Sequence, residues 1–235
     1  MDVNQIAHRE FLPLFRDRVA AGAELAEWLQ RYRTVQGSKA LVLGIPRGGV
    51  PVAAEVARRL DADLDVVVAR KLGSPDSPEL AIGAVTADGC RYLNEEIISS
   101  YGVPLDYLVH VTAQQVKEAR RREVRFRGDR SGLDVGGRVV IVVDDGLATG
   151  ATMRAAVRSV RAGRPARLIV AVPVGPVSTC ADLRREADEV ICPYELESFW
   201  AVGLYYEHFE PTEDAEVERI LREWQTGRSG TVTAV

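Results

Sequence analysis

Arg138-Val139-Val140-Ile141-Val142-Val143 is a continuous apolar run after its first residue, with no polar alternation. A strand with one wet face alternates; a strand covered on both faces does not. The run therefore predicts a central parallel strand packed between helices. It ends in two adjacent carboxylates, Asp144 and Asp145, followed by the small-residue stretch Gly146-Leu147-Ala148-Thr149-Gly150-Ala151-Thr152. A helical pattern then runs from about Thr149 to Ala162 and is closed by Gly163. A strand, a short loop and a helix in that order place the loop at the carboxyl end of the sheet, where open α/β folds keep their ligands.

Strand and helix patterns alternate along the chain. An amphipathic helix is expected over about 16–33, with Val19, Leu25, Trp28 and Leu29 inward. Ala40 to Ile45 reads as a buried strand, broken by Pro46-Arg47-Gly48-Gly49. A helix opening on Pro51 follows, with Val52, Val56 and Leu60 on one face. Leu64 to Ala69 is the next strand. Lys71 to Pro78, with one glycine and two prolines, reads as a mobile loop, and Ala81 to Val85 as a short strand. After Pro104 a long helix is expected to turn Leu105, Leu108, Val109, Thr112, Val116 and Ala119 inward. Arg167 to Val174, a helix near 177–187 and Glu189 to Cys192 complete the pattern. The reading is a single α/β domain over 1–226 with a parallel sheet and right-handed crossovers. It carries a small C-terminal hood over about 193–210. A helix is expected over about 212–225, and a small, polar, disordered tail over 227–235.

The chemistry of the central loop follows from its residue types. The first turn of a helix carries backbone N–H groups without acceptors and the positive end of the dipole, which together hold a phosphate. Gly150 and Ala151 admit a phosphate to the backbone, and Thr149 and Thr152 add hydroxyl donors. The carboxylates repel phosphate but suit a diol or a hydrated magnesium ion. One ligand joins a phosphate, a vicinal diol and a magnesium-chelating pyrophosphate: 5-phosphoribosyl-1-pyrophosphate (PRPP). The spacing of the nucleoside-triphosphatase loop is absent, as is the Gly-x-Gly-x-x-Gly dinucleotide fingerprint.

The formal net charge of -4 argues against a general polyanion binder. The arginine run Arg120, Arg121, Arg122, Arg125 and Arg127 is diluted by Glu118, Glu123 and Asp129, so it reads as a solvated helix face rather than a nucleic-acid patch. Three widely spaced cysteines suggest neither a disulfide framework nor a zinc site. No basic segment followed by an apolar run opens the sequence, and no stretch has the ~18 apolar residues of a membrane span. A cytoplasmic protein without membrane or nucleic-acid partners is expected; homo-oligomerisation is left open.

The 144–152 segment resembles the PRPP-binding motif of type I phosphoribosyltransferases and is nearest the adenine-using branch, which shares Ala-Thr-Gly. The chain as a whole resembles bacterial phosphoribosyltransferase-domain proteins of undefined acceptor. The likeness extends to Phe15-Arg16-Asp17-Arg18, Gly44 to Val50, Ala69 to Gly73, Asn94-Glu95-Glu96 and Ala201-Val202-Gly203. Gly146 departs from it, since most such loops carry an apolar residue there. The resemblance implies that Asp144 and Asp145 meet ribose hydroxyls and magnesium-bound water, with Mg2+ as cofactor and no direct protein ligand. It gives the 5-phosphate to Ala148, Thr149, Gly150, Ala151 and Thr152. Arg47 and Gly48 match a pyrophosphate loop that often holds a non-proline cis peptide. Arg70 and Lys71 would close on pyrophosphate, with Lys71, Arg47 and the two aspartates forming the catalytic set.

The implied reaction displaces pyrophosphate from ribose C1 by a nitrogen nucleophile, a base or another amine. Phe199, Trp200 and Tyr205 in the hood are candidates to stack on the acceptor. Hypoxanthine–guanine enzymes carry an aspartate as general base where this chain has Ala148. Glu79 is a replacement by analogy, although an exposed surface glutamate is the plainer reading. A non-catalytic PRPP sensor is the competing class; retention of Arg47, Arg70 and Lys71 favours catalysis.

Overall fold

A computed structural model describes residues 13–33, 39–128 and 134–229. Its central sheet has five parallel strands in the order β2-β1-β6-β7-β9. These are β1 (Leu41–Gly44), β2 (Asp63–Val66), β6 (Val139–Val143), β7 (Arg167–Ala171) and β9 (Glu189–Ile191). β6 lies in the middle, as its unbroken apolar run predicts. Its side chains alternate between two cores. Ile141 and Val143 join Val42 beneath α2 (Gly49–Leu60), with Leu25 and Leu29 from the α1 region (α1, Arg18–Trp28) and Val217 and Leu221 from α7 (Asp214–Ser229). Val140 and Val142 join Leu41 and Leu43 beneath α5 (Ala151–Ala162) and α6 (Val177–Leu183).

A second, antiparallel sheet is built from β3 (Ala69–Gly73), β4 (Ala81–Thr86) and β5 (Arg91–Leu93). Thus Lys71 to Gly73, read as loop, belong to a strand. Hydrogen bonds to the interior strand β4 override the local turn residues. α3 (Glu95–Ser100), capped by the Asn94 side chain on Ile97 N–H, leads into α4 (Leu105–Arg127). Leu105 and Val109 are exposed, against expectation, whereas Val111, Ala119 and Phe126 are buried. The inward stripe of α4 also includes half-buried Gln115 and Arg122, polar residues that hydrophobic periodicity skips. In α1, Val19 and Trp28 are likewise exposed. α1 packs on α2 through Gly22, Leu25 and Ala26, and a Cβ on Gly22 would lie 2.8 Å from the Val52 carbonyl oxygen.

After β9 the chain enters β10 (Tyr194–Leu196), which pairs in parallel with β8 (Val174–Pro176) and leads to an aromatic segment ending at Phe209. The N-terminal stretch pairs with this segment: Leu14 and Phe15 donate to the Tyr205 carbonyl, and Glu207 and His208 donate to Phe15 and Arg16. α7 runs to Ser229, beyond the expected end near 225. Residues 1–12 and 230–235, which include the start of the chain and most of the expected tail, lie outside the described residues. Among the described residues no helix is long and apolar enough to cross a membrane.

Candidate active site

The site sits where two neighbouring strands end. Gly44 of β1 pairs with Val143 of β6, and Ile45 N–H donates to the Val143 carbonyl. The loop after β6 and the loop after β1 therefore leave the sheet side by side. Their contact is intimate. A Cβ on Gly49 would lie 2.9 Å from Asp144 Oδ1, and one on Gly48 would overlap Asp145 Oδ2. Two glycines thus face two carboxylates. The Pro46–Arg47 peptide is cis, as the likeness to pyrophosphate loops implies.

Behind the carboxylates the 146–150 loop is pinned in its middle, at Leu147 and Ala148. Leu147 is buried and its N–H donates to the Val174 carbonyl; Thr179 Oγ1 donates to the Ala148 carbonyl at 3.0 Å. Gly150 has φ 72°, a left-handed conformation that glycine adopts without cost. It caps α5, so the amides that open the helix lack intrahelical acceptors. Ala148 and Thr149 are exposed and Thr152 half-buried, so donors of the loop are accessible from solvent. Gly146, the departure noted in the sequence, makes room for the aromatic segment: a Cβ there would lie 2.6 Å from Val202 Cγ1.

Electrostatically the pair is divided. Burial and the neighbouring Asp145 charge push the Asp144 carboxyl well above the usual carboxylate range. Burial also raises Asp145, but the Arg18 guanidinium, 2.8 Å away, pulls it back. Arg18 falls within the N-terminal segment that carries the family likeness, but the likeness attaches no role to it. Tyr206 donates to the Asp145 carbonyl at 2.6 Å, and burial raises its phenol strongly. Neither contact has a local sequence signal, because both partners lie far away along the chain.

The structure separates the remaining expected site residues into groups. Arg47 is 3.7 Å from Glu213 and 3.6 Å from Asp214, at the start of α7. Arg70 donates to Gln115 at 3.1 Å, and its pKa is lowered first by burial and then by Arg122; Arg47 also contributes. Arg47, Arg70 and Arg122 thus form one cationic neighbourhood, with Arg122 missed at the sequence level. Lys71 lies on the other face of β3, directly opposite Ala84, which packs with Ala151 at the start of α5. Its ammonium meets the Glu79 carbonyl at 2.9 Å and carboxylate at 3.1 Å. Glu79 is otherwise open, its side chain 95% exposed. The arginine run of α4 is largely the expected solvated face, with Arg120, Arg121 and Arg125 exposed and Arg122 half-buried; Arg127 is the exception, pairing with Asp65 in the interior.

In the aromatic segment, Tyr205 is buried and stacked on Phe199 with ring centroids 5.1 Å apart. Its ring serves the packing of the segment itself and offers no face to a ligand. Trp200 is the opposite case, 77% exposed.

A family model described as "Phosphoribosyl transferase domain" matches residues 15–207. Two Mycobacterium tuberculosis proteins, MT0597 of strain CDC 1551 / Oshkosh and Rv0571c of strain ATCC 25618 / H37Rv, carry the provisional name of phosphoribosyl transferase. Each is 44% identical over 210 residues, which is 89% of this chain and 47% of theirs. The chain therefore spans about half the length of the curated relatives it matches. The crystal structure of TT1426 from Thermus thermophilus is also 44% identical, covers 89% of this chain and 98% of its own, and superposes with a TM-score of 0.74. The paired carboxylates, the glycine-capped helix and this match across nearly all of the described fold make one case: the chain belongs to the phosphoribosyl transferase domain family.

Proposed function

We propose that the chain binds PRPP with Mg2+ and transfers the phosphoribosyl group to a nitrogen acceptor, releasing pyrophosphate. The observation that carries this reading is the half-buried Asp144–Asp145 pair standing against Gly48 and Gly49 at the carboxyl ends of two adjacent parallel strands. The loop that offers carboxylates to a diol and helix amides to a phosphate is thereby in contact with a second loop fit for pyrophosphate.

Each group has a task that its position supports. The amides of Thr149 to Thr152 and the Thr hydroxyls take the 5-phosphate. Asp144 and Asp145 accept from the ribose hydroxyls. Arg47 and Arg70 are set to receive the negative charge that gathers on pyrophosphate as its bond to C1 breaks with the electron pair; fixed charges of this kind are the strongest catalytic lever in such sites. Lys71, near the start of α5, must leave Glu79 to join them. Magnesium supplies further charge neutralisation on the pyrophosphate. Asp144 and Asp145 would reach the metal through its bound water. The acceptor nitrogen bonds to C1 and loses a proton. Trp200 is an exposed aromatic ring of the hood that could stack on a flat acceptor.

The test is PRPP consumption with magnesium across a panel of bases and amines, paired with thermal shift. Wild-type protein should be stabilised by PRPP with Mg2+. Asp145→Asn with Thr149→Ala should lose most of that effect, each charge-assisted bond being worth ~1.5–3 kcal/mol. Unchanged titration in the double variant rejects the site. Binding without pyrophosphate release for any acceptor would instead favour the sensor class.

A further inference from the structure

Arg18 lies outside every loop to which the sequence assigns chemistry, yet it touches three parts of the site. It is the first residue of α1, placed by the Asp17 side chain, which caps the helix on Ala20 N–H. Its Nε donates to Asp145 Oδ2 at 2.8 Å. One terminal nitrogen donates to the Glu210 carbonyl at 2.8 Å, and the guanidinium carbon sits 3.9 Å from the centroid of the Phe209 ring. The two charged side chains are only 13% and 14% exposed. Gly48 crowds the same carboxylate oxygen from a second direction: its added Cβ would overlap Oδ2 and lie 3.2 Å from Arg18 Nε.

Asp145 Oδ2 is therefore enclosed by two neighbours, the backbone of the loop after β1 and a guanidinium that is itself fixed by a ring and a carbonyl. A buried ion pair is a poor source of stability, because desolvation offsets its attraction. Orientation is what such a pair supplies. With Nε, one terminal nitrogen and one face committed, Arg18 is badly placed to leave for pyrophosphate. We propose that Arg18 is a positioning residue that locks the Asp145 carboxylate in the orientation in which it meets a ribose diol. This rests on the reading of Asp144 and Asp145 as the diol site.

The test compares three ligands by calorimetry, each with Mg2+: PRPP, ribose 5-phosphate and inorganic pyrophosphate. The first two carry the diol and the last does not. Arg18→Gln should weaken PRPP and ribose 5-phosphate by about 10- to 100-fold, the range expected for one charge-assisted hydrogen bond. Pyrophosphate should stay within about twofold. Arg18→Lys keeps the charge but cannot serve Asp145, Glu210 and Phe209 together, so it should recover only part of the loss. Combining Arg18→Gln with Asp145→Asn should add little to Asp145→Asn alone. Should Arg18→Gln fail to fold, Arg18→Lys and Phe209→Leu carry the comparison, each weakening the two diol ligands selectively.

Three outcomes overturn the proposal while wild-type binding stands. They are unchanged affinity for the diol ligands, loss for PRPP and pyrophosphate but not ribose 5-phosphate, and equal loss for all three. The second makes Arg18 a direct pyrophosphate ligand and the third a merely structural residue. Wild-type protein that binds none of the three ligands rejects the diol site itself, and the role of Arg18 with it.

Discussion

Gly48 stands so close to the Asp145 carboxylate that a single methyl group on its Cα would overlap Oδ2. The β1 loop and the β6 loop are thus one rigid object, and a change in either is felt in both. Gly48→Ala must push the carboxylate aside and with it the Arg18 pair, 2.8 Å long. The expected result is a stability loss of ~1–3 kcal/mol, as for other overpacked sites. PRPP affinity should fall at least tenfold under conditions where the variant remains folded. Denaturant titration and calorimetry check the two halves; a variant that is destabilised but binds PRPP normally would contradict the coupling.

Asp144 gives a pH-dependent prediction. Its folded pKa lies well above the ordinary aspartate value, because burial and the Asp145 charge disfavour ionisation. A carboxyl with a raised folded pKa lends stability that is fully present below the unfolded value and is lost as pH rises through the folded one. Wild type loses that stability as pH climbs above the ordinary aspartate value; Asn, which cannot ionise, does not. The Asn Oδ1 can still accept the Asp145 N–H bond, 2.9 Å long. Ligand-free Asp144→Asn should therefore melt higher than wild type at pH 7. The gap should close as pH falls toward 4. PRPP binding should weaken in the same variant. A melting temperature below wild type at pH 7 would reverse the sign and refute the argument.

What the sequence disclosed, and what it hid, follows from the range of the forces involved. The strand Val139–Val143, the helix opening at Ala151 and the break at Pro46 to Gly49 are written in local patterns, and the fold honours them within a residue or two. The parallel order of the sheet follows from repeated strand–helix units. The N-terminal stretch is different. Phe15 bridges to Tyr206 and Arg18 reaches Asp145, contacts across most of the chain that no periodicity encodes. α4 misled for another reason. Its inward stripe passes through Gln115 and Arg122, so the residues that face the site are those an apolar pattern leaves out. Polar residues on a buried stripe are a usable signal, and here they mark the side of the helix toward Arg70.

Gly146 controls how closely the aromatic segment approaches the loop. Its added Cβ would meet Val202 Cγ1 at 2.6 Å, Val202 Cγ2 at 3.0 Å and Val174 Cγ1 at 3.3 Å. Gly146→Ala should cost ~1–3 kcal/mol, and Val202→Ala, which removes the two nearest of those atoms, should restore most of it in the double variant. Coupling of this kind is what a double-mutant cycle measures for residues in contact. Strict additivity in urea titrations would mean that the two residues do not meet.

The acceptor is the most exposed prediction. A 6-oxopurine must lose a ring proton as its nitrogen attacks C1, and a positioned base contributes roughly 10²–10⁴-fold to such a transfer. Ala148 supplies no such group at the exposed turn of the loop. Glu79 carries its carboxylate on the far loop, 3.1 Å from Lys71, where an ammonium competes for its lone pairs. The aromatic segment offers the exposed Trp200 ring for stacking, but stacking does not select one base edge over another. Hypoxanthine and guanine should therefore be poor acceptors, while adenine and non-purine amines are not disfavoured by this argument. Steady-state rates with magnesium and saturating PRPP decide the matter. If either 6-oxopurine reacts within tenfold of the best acceptor in the panel, a base that the described residues do not reveal must be present. A complex that holds one of them through Glu79 or Glu207 would refute the prediction by showing that one of these carboxylates takes the missing role.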